Sequence, residues 1–98
     1  MNKRTETLEA AAALINGDRE KDYGTPQDNF QRIAMVWEVY MGVTISPHDV
    51  TLMMAMLKIA RLAHDPSKED SYIDAAGYIA LANELANGEE KQHDYNHL

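Results

Sequence analysis

The chain has 98 residues, enough for one domain, and its 45% apolar content is that of a globular protein. Its net charge of −7 argues against broad binding to polymeric nucleic acid or to an anionic membrane surface, because both need a basic face. The absence of cysteine excludes disulfides, thiol catalysis and cysteine-ligated zinc.

Thr5 to Asn16 is alanine-rich, with Leu8, Ala12 and Ile15 at helical spacing, and Gly17 is a stop signal. No long apolar segment precedes or follows it. Neither a signal peptide nor a membrane span is expected, and the chain reads as a soluble cytoplasmic protein. The polar run GDREKDYG, Gly17 to Gly24, reads as a loop.

A second helix is expected over Thr25 to Met41, with Phe30, Ile33, Trp37, Tyr40 and Met41 as its apolar stripe and Gly42 at its end. A third runs from Ser46 to about Ala63. It is apolar nearly all round, with Val50, Met53, Met54 and Leu57 on one side and Leu52, Met56, Ile59 and Ala63 on the other. Such a helix is central to a bundle or shared with a partner. Lys58 and Arg61 interrupt it, one turn apart. The fourth helix is expected from Ser67 to about Asn87, and Gly77 with its neighbouring alanines permits close helix packing. The polar tail from Gly88 to Leu98 is expected to fray. His93 and His97 lie in it four residues apart, with no third ligand nearby to make a metal site. No strand-like alternation competes. The fold expected is all-α: a four-helix, bundle-like domain that forms a homo-oligomer through the third and fourth helices.

Three of these starts share one device. Thr25, Ser46 and Ser67 each stand three residues before an aspartate: Asp28, Asp49 and Asp70. The hydroxyl can cap the helix, and the carboxylate favours the positive end of the helix dipole. Asp74 has no such explanation. It lies one turn beyond Asp70 on the same face, where the pair reads either as a solvated acidic face or as two ligands of a hard cation.

The short turn between the third and fourth helices makes them antiparallel neighbours. Folding there sets Arg61 level with Asp70, and Lys58 level with Asp74. Folding the preceding hairpin about Val43 to Ile45 sets the start of the second helix at the same end. Tyr23, Asn29, Lys58, Arg61, Asp70 and Asp74 then gather at one end of the bundle. One outcome is structural: the ion pairs Lys58–Asp74 and Arg61–Asp70. The other is a phosphate site. There Asp70 and Asp74 hold Mg²⁺, Lys58 and Arg61 meet phosphate oxygens, and Asn29 and Tyr23 orient a base or sugar.

The motifs KDYG....NF.RIA..W..Y, DV..MM...KIARL and D.YIDAAGYIAL resemble a family of small phage and prophage proteins over about Asp18 to Ala86. That family is distantly similar to the MazG-like all-α nucleotide pyrophosphohydrolases. The resemblance implies an oligomeric helical bundle that cleaves a nucleoside triphosphate, with Mg²⁺, to monophosphate and pyrophosphate. Asp74 would close the metal-binding acidic motif and Asp70 would stand for the preceding acid, both acting as catalytic carboxylates. The spacing here is i,i+4 rather than Glu-x-x-Asp. An earlier Glu-x-x-Glu helix is absent, and the second helix offers only Asp28 near its start and Glu38 near its end. A sensor or sponge that binds a nucleotide without cleaving it is therefore the second expectation. A bundle serving only structure or protein interaction is the third.

Overall fold

The computed structural model describes residues 1–17 and 19–88. The expectations for the tail, including His93 and His97, lie outside the described residues. Within them there are five helices and no strand: α1 (Lys3–Asn16), α2 (Arg19–Tyr23), α3 (Pro26–Met41), α4 (Pro47–His64) and α5 (Glu69–Asn87). The expected loop before Gly24 thus contains a short helix. It closes on Gly24, which takes the left-handed φ of +86° that favours glycine and donates its N–H to the Glu20 carbonyl at 2.8 Å.

Two of the three expected caps form. Thr25 Oγ1 accepts from the Asp28 N–H at 3.2 Å. Ser46 Oγ accepts from the Asp49 N–H at 3.0 Å while Asp49 Oδ2 accepts from the Ser46 N–H at 2.9 Å, a full capping box. Proline at the first position supports both starts. The third cap does not form. Ser67 turns back to Asp65, donating from its hydroxyl at 2.6 Å and its N–H at 3.0 Å to Asp65 Oδ1. A carboxylate two residues upstream takes both Ser67 donors, and α5 starts at Glu69 without a side-chain cap. At the first helix Asn2 supplies the cap, accepting from the Thr5 N–H at 2.9 Å, so α1 begins before Thr5.

The helices α4 and α5 form the most extensive contact, joined by the turn at Asp65–Lys68. On its other flank α5 meets α1, and α3 lies against α4. Phe30, Ala34, Ile45, Val50 and Leu81 make the buried core, with Ile15, Ile33, Trp37, Met54, Tyr78 and Leu85 packed around it. Phe30 meets Tyr78 edge-on at 6.3 Å between ring centroids. Gly77 brings α1 close: a Cβ there would stand 3.1 Å from Ile15 Cγ2.

The apolar stripe expected on the second helix is only half used. Phe30 is buried and Ile33 and Trp37 are half-buried, but Tyr40 and Met41 are exposed. The last turn of α3 therefore leaves the core before Gly42 closes the helix. Glu38 anchors this turn, its Oε2 accepting from the backbone N–H of buried Ile45 at 2.7 Å.

Candidate functional site

Asp70 and Asp74 lie one turn apart on α5, the first exposed and the second half-buried. With Ile73 they form the α5 wall of a cleft of about 570 Å³, whose other wall is Ala10, Ala13 and Leu14 of α1. Alanines leave space there that longer side chains would fill. Asp74 also borders a narrower hollow of about 190 Å³ beside Ile15, Gly77 and Tyr78. The wider cleft is a shallow groove that lies widely open to solvent.

Lys58 reaches across from α4 and sets its Nζ 3.0 Å from Asp74 Oδ2. This is the expected inter-helix pair. Its companion does not form: Arg61 lines a separate hollow of about 270 Å³ with His64, Asp65 and Lys68, at the α4–α5 turn. Lys58 and Arg61 share a helix but reach different surroundings.

Tyr23 and Asn29 are elsewhere. Tyr23 ends α2 with its ring exposed, and its carbonyl accepts from Arg32 Nη2 at 2.7 Å. Asn29 is half-buried in the first turns of α3, its N–H donating to the Thr25 carbonyl at 2.9 Å. That end of α3 lies against the end of α5: Thr25, Pro26 and Gln27 share a cleft with Glu84, Leu85 and Gly88. Glu84 is 14 residues beyond Asp70, about 21 Å along a helix. The expected gathering of all six residues at one end is therefore not the arrangement within one chain. The level argument assumed that α3 runs alongside α4 for its whole length. Instead Phe30 docks on Tyr78, midway along α5, and carries the start of α3 toward the far end.

Among the described residues no group of three or more histidines, aspartates and glutamates converges as a ready metal cage. Mg²⁺ commonly takes one or two carboxylates, keeps several waters and completes its shell with substrate phosphates. Asp70 and Asp74 fit that partial set, with Lys58 competing for the second. Glu38, the other candidate acid, is committed to the α3–α4 turn.

Sequence reasoning missed a cleft of about 600 Å³ between the start of α1 and the start of α5. Lys3, Arg4, Leu8, Glu69 and Tyr72 are among its walls. Lys3 bridges Glu69 at 3.1 Å and Glu6 at 3.4 Å, and the hydrogen bond to Glu69 above all holds its ammonium pKa above the usual value. The Tyr72 hydroxyl donates to the Pro66 carbonyl at 2.8 Å. Nothing in the local pattern marks this cleft, because it exists only through the docking of α1 on α5. No described helix is long and apolar enough to cross a membrane.

Residues 6–86 match the family described as "Domain of unknown function (DUF6378)". The Gene 55 protein of Mycobacterium phage L5 is 38% identical over 87 residues, covering 88% of this chain and 56% of that protein. The Gene 55 protein of Mycobacterium phage D29 is 40% identical over 91 residues, covering 89% of this chain and 60% of that protein. The chain thus spans a little over half the length of these relatives. No solved structure matches it significantly.

Proposed function

The chain belongs to the DUF6378 family, and from the cleft between α1 and α5 we propose that it binds a nucleoside triphosphate and cleaves it, with Mg²⁺, to monophosphate and pyrophosphate. The observation that carries this is the placement of Asp70 and Asp74 on one wall of an open cleft, with a lysine 3.0 Å from the inner carboxylate. The distant similarity of its motifs to the MazG-like enzymes supplies the reaction.

Asp70 and Asp74 would hold the cation. Bound there, Mg²⁺ would supply charge neutralisation on the phosphates and a more acidic attacking water. Lys58 orders Asp74 in the free protein and offers its ammonium to a phosphate oxygen when ligand enters. Arg61, expected from sequence at the outer phosphate, lines the separate hollow at the α4–α5 turn and would have to swing out of it to make a forked contact there. Tyr23 and Asn29 orient the nucleoside, a role that needs a second copy to bring the α2–α3 end alongside the cleft. An activity on nucleoside triphosphates belongs in the cytoplasm, where they are abundant.

A second function is favoured by one observation. With two carboxylates in the cleft and no third nearby among the described residues, the same groups would bind a nucleotide without cleaving it, as a sensor or sponge.

One experiment separates these. The protein is incubated with Mg²⁺ and mixed ribo- and deoxyribonucleoside triphosphates, and products are resolved by chromatography. Monophosphate and pyrophosphate, lost in Asp74→Asn, are the expected result. Unchanged triphosphates with tight binding that survives a chelator would replace cleavage by binding. Neither product nor binding would leave a bundle for structure or protein interaction.

A further inference from the structure

We propose that the apolar outer stripes of α4 and α3 are covered by a second copy of this chain, in a two-fold dimer built along α4. The proposal does not depend on the nucleotide chemistry. On α4, Met53, Met56, Leu57 and Ala60 follow an i, i+3, i+4, i+7 spacing, and all four are exposed. No charge interrupts them. The two cations of α4 lie off this line, Lys58 at Asp74 and Arg61 in the hollow at the turn. On α3, Met35, Val36, Val39 and Tyr40 form a second stripe, opposite Phe30 and Ala34, with Val39 87% and Tyr40 89% exposed.

A surface helix ordinarily presents polar side chains on its outer face. Here two adjacent helices present methionine, leucine, valine and tyrosine. The eight residues expose on the order of 800 to 900 Å², against about 800 Å² per partner for a standard-size interface.

Charge points to the same occupant. At −7, two copies repel wherever their carboxylates approach, and the eight apolar residues keep the middle of this face free of them, with Asp28 and Arg32 one to two turns before the α3 stripe and Asp49 one turn before the α4 stripe. The α4 stripe also combines adaptable methionines with the small Ala60, which suits the same residues meeting across a two-fold axis. The interface differs from the one expected from sequence. It uses α3 in place of α5, because the exposed apolar residues are denser along α3, where Val39 and Tyr40 stand out most, than on α5, which exposes Tyr72 and Ile79.

The test is the mass in solution, by sedimentation or light scattering at tens of micromolar. The expected result is twice the 11.0 kDa of the chain. Leu57→Glu and Val39→Glu should each shift the protein to the monomer with helical circular dichroism retained. Because the chain has no cysteine, Met53→Cys, Met56→Cys and Ala60→Cys each report on the seam alone, and at least one should oxidise to a covalent dimer. A monomeric wild-type protein would overturn the proposal and assign the stripes to a different protein. A dimer that withstands both glutamates, or the absence of any covalent dimer from the three cysteine variants, would overturn it as well. The readout is mass, so failure of the nucleotide activity leaves the result unaffected.

Discussion

Lys58 Nζ stands 3.0 Å from Asp74 Oδ2, joining the middle of α4 to α5, with the lysine side chain 16% and the aspartate 30% exposed. The pair is neither a free surface contact nor a sealed one. Its worth therefore lies between the near-zero value of exposed pairs and the several kcal/mol lost when a buried pair is broken. Lys58→Met and Asp74→Leu should each cost about 1 to 3 kcal/mol in urea unfolding. The double variant should cost less than their sum, because no charge is then left alone. Strictly additive losses would mean that the two groups do not interact in solution.

Glu38 holds the α3–α4 turn by accepting from the Ile45 N–H at 2.7 Å. Glu38→Ala leaves that donor without its partner and should cost about 2 kcal/mol. Glu38→Gln keeps an acceptor at the same reach and should recover part of the loss. Hydrogen exchange at the Ile45 amide would show the effect directly, rising most in the alanine variant.

At Gly77 the new Cβ would meet Ile15 Cγ2 at 3.1 Å. Gly77→Ala gains about 1 kcal/mol of helix propensity and asks Ile15 to give by a few tenths of an ångström. The two effects nearly cancel, so the unfolding midpoint should barely move. Gly77→Leu adds volume that α1 cannot absorb and should cost about 1 to 3 kcal/mol or detach α1. A leucine variant as stable as the wild type would show that α1 does not pack on α5 as described.

The Ser46 backbone N–H, then its side chain, holds the Asp49 carboxyl below the usual carboxylate range. Unfolding restores the ordinary value, so the unfolded chain binds the proton more readily. The contribution is present above the ordinary carboxylate range and is lost as pH falls through the folded value. Asp65 follows the same sign, through the Ser67 hydroxyl first and its N–H second. Thermal midpoints between pH 7 and pH 3 should therefore fall further for the wild type than for Asp49→Asn. Ser46→Ala, which removes the other half of the box, should cost about 1 kcal/mol at neutral pH.

Much of the local structure was legible because it rests on groups within four residues of each other. Thr25 and Ser46 bond to amides three positions on, and the apolar spacing on α4 marks a helix without reference to its neighbours. Ser67 shows how narrow that legibility is. The same hydroxyl-x-x-Asp pattern failed there because the Ser67 side chain is turned back to donate to Asp65, which takes its oxygen away from the α5 amides it would have to accept from. The i,i+4 placement of Asp70 and Asp74 was legible for the same local reason, and so was the level pairing of Lys58 with Asp74, since a short turn sets a hairpin's register.

The sequence by itself determined an all-helical chain, two of its helix starts, and the shared face of the two aspartates, all through hydrogen bonds and periodicities internal to one helix or one short turn. Only the tertiary structure decided that Arg61 leaves Asp70 for the turn, that Asn29 and Tyr23 lie far from the aspartates, and that the alanines of α1 open a cleft beside them. Those outcomes depend on how helices cross. The crossing is set by which side chains interdigitate, Phe30 on Tyr78 and Ile15 on Gly77, between residues 48 and 62 positions apart in the chain, and no local pattern carries that information.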